Sequence, residues 1–272
     1  MRYFGNNIKT LVNNLVVSYT DNGPDEAPVI IFIHGFPLNK TMWDNQVDAL
    51  KEDYHVISYD IRGHGDSEPG IEDFSINLFV NDLLNLMDTL KIEKASICGL
   101  SMGGYIALNA IENHPERFDA LVLSDTHCIA DPPPVKQKRL DTIESIREYG
   151  MEKYVNDSIV NLFAPESFTT HKKEILDVKE MILNTSVQSL TKTLLALYLR
   201  KSTCNKLPEI TLPVLFIVGE KDKITPPEAS ELMHKKIKNS TVHIISHAGH
   251  LSNLENSGEF NKYLKTFFAT IY

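Results

Sequence analysis

The pentapeptide Gly99-Leu100-Ser101-Met102-Gly103 sets a hydroxyl between two glycines, each two residues away. It follows an apolar run from Ala95 to Gly99 and precedes a helix-period stretch from Met102 to Asn113. A strand that turns sharply into a helix holds its serine in a strained conformation, with the hydroxyl projecting from the sheet edge. Bulkier residues two positions away would clash there, which is why the flanking positions need glycine. The helix that follows aims its free N–H groups at the same point and favours a developing oxyanion. The chemistry this arrangement serves is nucleophilic acyl transfer, with Ser101 attacking a carbonyl and a nearby base taking its proton. A glycine-rich turn that merely contains a serine is the bland alternative, and the strand–turn–helix context argues against it.

The surrounding sequence supplies elements to position such a nucleophile. Short β-branched runs alternate with helix-period stretches, which suggests a mostly parallel sheet with helices on both faces. Strand-like runs fall at 8–20, 28–33, 54–59, 95–99, 120–123, 214–219 and 241–246, with a turn expected at Asp21-Asn22-Gly23-Pro24. Helical patterns fall at 41–51, with Thr41 as the N-cap, and at 75–91, 102–113 and 258–269. From about Thr126 to Lys206 no strand pattern is present. The stiff Asp131-Pro132-Pro133-Pro134 segment opens a run of helical stretches near 135–150, 151–163, 171–183 and 186–201. This reads as an all-helical insertion, giving a core of residues 1–126 and 207–272 and a cap of 127–206.

Three segments together resemble the α/β-hydrolase superfamily. The first is the Ser101 pentapeptide, which looks like its nucleophile elbow. The second is His34-Gly35-Phe36-Pro37 after the strand at 28–33, similar to the H-G-x-P oxyanion loop. The third is Asp60-Ile61-Arg62-Gly63-His64-Gly65-Asp66-Ser67, similar to a D-x-R-G-x-G-x-S stretch read as structural. The resemblance implies an eight-stranded, mostly parallel sheet flanked by helices, with a helical cap. It also implies backbone N–H donors from Phe36 and Met102 for the oxyanion, and an orienting hydrogen-bond role for His34. Of ten histidines, His250 in Ser246-His247-Ala248-Gly249-His250-Leu251 occupies the loop of the catalytic base, with His243 and His247 as decoys. The acid that orients it falls at Asp222, in Gly219-Glu220-Lys221-Asp222; Asp125, after the preceding strand, is the rival position. The order Ser101, Asp222, His250 is the order of this fold.

Within the superfamily the chain resembles small capped carboxylesterases and 3-oxoadipate enol-lactonases. The implied activity is hydrolysis of a small carboxylic ester or enol-lactone through an acyl-serine, with no cofactor and no metal. C–C bond hydrolases and perhydrolases of the same fold are the enzymatic alternatives, and a small-molecule receptor on a hydrolase scaffold is the alternative of another class. Substrate choice is expected in a pocket under the cap. Leu162, Phe163, Phe168, Leu194, Leu197 and Tyr198 are candidates to line it, and Arg139, Arg147 and Arg200 are candidates to meet a substrate carboxylate.

Bulk properties narrow the partners. The chain has 272 residues and a net charge of −9, which disfavours nucleic-acid binding through a basic face. No run is long and apolar enough to span a bilayer, and the first twenty residues lack a signal-like apolar stretch. Three cysteines (Cys98, Cys128 and Cys204) form no C-x-x-C pair, and so sparse a count fits a reducing compartment. A cytoplasmic monomer or homodimer acting on a small molecule is the expectation.

Overall fold

The computed structural model describes residues 5–272. Its strands are β1 (Gly5–Val12), β2 (Leu15–Asn22), β3 (Val29–Ile33), β4 (His55–Tyr59), β5 (Ala95–Leu100), β6 (Phe118–Ser124), β7 (Val214–Gly219) and β8 (Ser240–Ile245). They form one sheet in the order β1-β2-β4-β3-β5-β6-β7-β8. β1 and β2 pair antiparallel, as do β2 and β4, and every pairing from β4 through β3 to β8 is parallel.

The central strands read as unbroken apolar runs because both of their faces are buried. Side chains alternate between the two faces. Ile31, Ile33, Ile97, Leu121, Leu123 and Phe216 join one core, while Ile30, Phe32, Cys98, Val122, Leu215 and Ile217 join the other. The helices of the sheet are α1 (Asp44–Leu50), α2 (Ile76–Thr89) and α3 (Met102–Asn113). Helices α2 and α3 cover the first face through Phe79, Leu83, Met87, Ile106 and Ile111. Helix α1 covers the second through Val47 and Leu50.

Between β6 and β7 the chain runs through α4 (Pro133–Tyr149), α5 (Met151–Leu162), α6 (Ser167–Thr170), α7 (Lys172–Leu183) and α8 (Val187–Leu199). No strand interrupts them, as the sequence pattern led one to expect. Three helices complete the chain: α9 (Pro227–His234), α10 (Ser252–Glu255) and α11 (Ser257–Phe268). Helix α11 packs Phe260, Leu264 and Phe268 beside α1.

Two local readings change. The strand expected over 8–20 is a hairpin, because Asn13 and Asn14 both take positive φ (50° and 61°) and Val12 pairs with Leu15. Two left-handed residues match the twist of the flanking strands, and asparagine tolerates that conformation. The cap expected at Thr41 belongs to Asn39, whose side chain accepts from Thr41 N at 3.0 Å and opens a short 3-10 turn, Lys40–Trp43, ahead of α1.

Candidate active site

In an open parallel sheet, groups that do chemistry collect beyond the carboxyl ends of the strands. Ser101 follows β5, the His34–Pro37 segment follows β3, Asp125 follows β6, Asp222 follows β7, and His250 follows β8. The sheet topology therefore brings Ser101, Met102, Phe36, Asp222 and His250, with the rival Asp125, to one edge.

At the β5–α3 turn Ser101 has φ 53° and ψ −111°, a backbone strain that persists only where neighbours enforce it. Ser101 N–H donates to Ser124 O at 3.0 Å, and the Thr126 hydroxyl donates to Ser101 O at 2.8 Å. The glycines are needed for close approach. A Cβ on Gly103 would sit 2.1 Å from Ile33 O, and one on Gly99 would sit 2.3 Å from Gly103 O. Backbone packed that tightly against backbone has no slack to give. Ser101 keeps 9 % of its surface accessible.

His250 and Asp222 are both nearly fully buried, and His250 Nδ1 lies 2.8 Å from Asp222 Oδ2. Asp222 is itself fixed: Ile224 N and Thr225 N donate to Oδ1 at 2.8 and 3.0 Å, and the Thr225 hydroxyl donates to Oδ2 at 2.7 Å. Burial pulls the imidazole pKa down, but the Asp222 charge and hydrogen bond outweigh it and leave His250 above the ordinary histidine value. Burial likewise opposes ionisation of Asp222, and its partners hold it below the usual carboxylate range all the same. Of the decoys, His243 stacks on Tyr263 with ring centroids 3.9 Å apart, and His247 is mostly exposed.

Asp125 is close enough to feel both partners but bonds elsewhere. Gly219 N donates to its Oδ1 at 2.8 Å, and the Ser124 and Ser252 hydroxyls donate to Oδ2 at 2.7 and 2.6 Å. It thereby ties the Asp222 turn to the segment after His250. Burial and the Asp222 charge push it up to about 7.

The His34–Pro37 segment is braced from behind. His34 Nδ1–H donates to Gly35 O at 2.9 Å, and Nε2 accepts from Ile61 N–H at 3.0 Å. Asp60 accepts from Lys40 N and Nζ at 2.8 and 2.6 Å and from Asp66 N at 2.9 Å, while Arg62 grips Asp82 at 2.5 and 2.8 Å. These contacts fit the structural role read for that stretch. His64 is buried, with Nδ1 bonded to Arg62 O.

Ser101, His250, Phe36 and Met102 all line one cavity of about 600 Å³, roofed by α4, α5 and α8. That volume suits a small-molecule ligand. Of the apolar candidates, Leu162, Leu194 and Leu197 line it. Phe163 packs in the core instead, Phe168 is partly exposed to solvent, and Tyr198 lies under Lys136. Of the arginines, Arg139 lines the cavity, Arg200 lies buried behind Tyr105, and Arg147 faces solvent.

A family model described as the alpha/beta hydrolase fold matches residues 28–257. The chain belongs to the alpha/beta hydrolase family. It is 31% identical over 252 residues to 3-oxoadipate enol-lactonase 1 of Acinetobacter baylyi, covering 92% of each chain. Among solved structures it is similar to a thermophilic esterase from Thermogutta terrifontis, with a TM-score of 0.92, 28% identity, and 98% of this chain and 99% of that one covered. The enol-lactonase from Burkholderia xenovorans LB400 follows with a TM-score of 0.90, 26% identity and coverage of 96% and 100%.

In this alpha/beta hydrolase, sequence reasoning overlooked several residues that hold the site. Glu255 is buried and accepts from Gly249 N and Ala164 N at 2.7 Å each and from the Ser167 hydroxyl at 2.5 Å. His250 N–H donates to Leu162 O at 3.0 Å. The histidine loop is thus fastened to the helical insertion at residues 162–167. The signal was a carboxylate five residues beyond His250, which a single sequence does not distinguish from a solvated one. Cys128 and Cys204 are disulfide-bonded, with Cα atoms 4.9 Å apart, and tie together the two ends of the insertion. The cysteine count therefore loses its force as an argument for a reducing compartment. Cys98 stays free and buried in the sheet.

Proposed function

We propose that the protein is a serine hydrolase that cleaves a small carboxylic ester or enol-lactone through an acyl-Ser101 intermediate. The observation that carries this reading is the convergence of Ser101, His250, Phe36 and Met102 on one cavity, with Asp222 bonded behind His250. With Nδ1 committed to Asp222, His250 has Nε2 left to take the Ser101 proton. Ser101 Oγ attacks the carbonyl carbon, and the backbone N–H groups of Phe36 and Met102 receive the oxyanion. The tetrahedral intermediate collapses as His250 returns the proton to the departing alcohol or enol oxygen. Water then attacks the acyl-serine with His250 as base, releasing the acid and restoring the hydroxyl. Asp222 stays ionised and stabilises the imidazolium at each step.

The names of the relatives support the ester and enol-lactone classes. A cap role for residues 127–206 is part of the proposal, as is a monomer or homodimer. No helix among the described residues is long and apolar enough to cross a membrane. The disulfide suits an oxidising compartment better than the cytoplasm suggested by the sequence. A fluorophosphonate probe tests the nucleophile. Ser101 Oγ should form a P–O bond with loss of fluoride, seen as one adduct by intact mass and mapped to residue 101. An adduct elsewhere, or an undiminished adduct in Ser101→Ala, would refute the assignment.

A further inference from the structure

The protein carries 27 basic and 36 acidic residues, yet the wall of the Ser101 cavity has the opposite balance. Lys138, Arg139 and Lys223 line it, and Asp157 is the one acid among its described residues. Asp157 is moreover engaged by Lys153 Nζ at 2.6 Å, one turn away on α5. Cations gathered in a cleft of an acidic protein focus the field there and draw anions against the general repulsion.

The arrangement behind Arg139 is built. Its Nε bonds Asp131, and Asp131 also receives Arg200 Nη2 at 2.6 Å, so one carboxylate is shared between two guanidiniums. Arg200 is buried and lies 4.0 Å over the ring of Tyr105, which itself lines the cavity from the nucleophile helix. His127, beside Arg200 and the Tyr105 hydroxyl, brings no further charge at neutral pH: burial and the Arg200 charge lower it to about 4. The group therefore keeps one net positive charge, and Nε of Arg139 is the nitrogen spent on Asp131. A guanidinium fixed through one edge presents its remaining donors in a rigid fork that matches a carboxylate. The polar side chains Thr142, Ser145, Ser158 and Asn161 lie on the same roof.

We propose that the natural substrate is an anionic ester, with a carboxylate remote from the scissile carbonyl held by Arg139 and attracted by Lys138 and Lys223. This rests on the serine-hydrolase reading and adds the substrate's charge and the residue that selects it. Arg139 is a specificity residue; Asp131 and Arg200 position it.

The test compares monomethyl succinate, glutarate and adipate with the corresponding monomethyl ester amides, which match them in shape without the charge. Fluorophosphonate labelling of Ser101 runs in parallel. The expected result is at least a tenfold higher kcat/KM for one carboxylate ester over its amide, carried mainly by KM and eroded by 0.5 M salt. In Arg139→Gln that preference should fall at least tenfold, and Arg139→Lys should restore part of it. The exposed pair Lys138→Gln with Lys223→Gln, which leaves the buried network intact, should reduce the preference and its salt dependence. Equal turnover of carboxylate and amide by a protein that labels at Ser101 would overturn the anionic substrate and leave the hydrolase reading standing. A preference that survives Arg139→Gln in folded protein would overturn the role of Arg139. Absence of both labelling and turnover would instead sink the underlying hydrolase reading.

Discussion

At the residue scale, the division of labour between Asp222 and Asp125 follows from which atoms they touch. Asp222 bonds His250 directly, while Asp125 bonds Gly219 N and two serine hydroxyls. Asp222→Asn should therefore cost roughly 10,000-fold in kcat, as loss of an orienting acid does elsewhere. Asp125→Asn keeps an acceptor for Gly219 N and gives the hydroxyls a donor to turn toward, so its loss should stay within about tenfold. The pH profile carries a sign. His250 must be neutral to act as a base, and its pKa is raised once the Asp222 interactions outweigh burial. The acid limb of kcat/KM should then lie above the ordinary histidine value of 6.5, with activity lost as pH falls through it. In Asp222→Asn burial acts with less opposition, so the residual activity should have its limb at lower pH. A limb that moved upward, or an Asp125→Asn loss as large as that of Asp222→Asn, would reverse the assignment of the acid.

At the element scale, two devices fix the helical insertion. One is Glu255, which joins the histidine loop to residues 164 and 167. Glu255→Gln puts an NH₂ where one backbone N–H needs an acceptor, which costs about 1–3 kcal/mol for the group left unpaired. Because that group is next to His250 or to the segment its N–H bonds, kcat should fall while the affinity for a product-like carboxylate stays close to wild type. Unchanged kcat in the folded variant would show that the clamp does not position the base. The other is the Cys128–Cys204 bond, which joins the two ends of the insertion across a sequence separation of 76 residues. Breaking such a loop constraint typically costs about 2–4 kcal/mol, so Cys128→Ser with Cys204→Ser should lower Tm by roughly 4–16 °C. Melting curves that coincide in the presence and absence of reductant would argue against the bond. Neither device was legible in the sequence. Glu255 and Asp131 look like solvated carboxylates until the backbone N–H groups and guanidiniums that bury them are in place, and two cysteines so far apart carry no pairing signal. What was legible lay in local pattern: the apolar runs of β3 to β7, the helix period of α2 to α5, and the Ser101 turn. The hairpin turn rests on Asn13-Asn14, two residues that the strand pattern over 8–20 does not set apart.

For the whole molecule, the parallel sheet does the assembling. Five loops distant in sequence meet because every strand from β3 to β8 points the same way. Apolar periodicity announces that sheet, and the resemblance of the Ser101, His34 and Asp60 segments to the α/β-hydrolase superfamily implies where Asp222 and His250 fall along it. The charge of the cavity was not legible in the sequence, since an overall −9 conceals which cations the insertion turns inward. The central claim is that Ser101 is the nucleophile, and the most direct measurement is turnover of p-nitrophenyl esters, acetate to decanoate, by wild type and Ser101→Ala. Wild type should release p-nitrophenol over many turnovers, fastest on the shorter acyl chains that a cavity of about 600 Å³ admits. Ser101→Ala should lose several orders of magnitude, roughly a million-fold if the triad acts as a unit. Equal activity in the two proteins would contradict the claim outright.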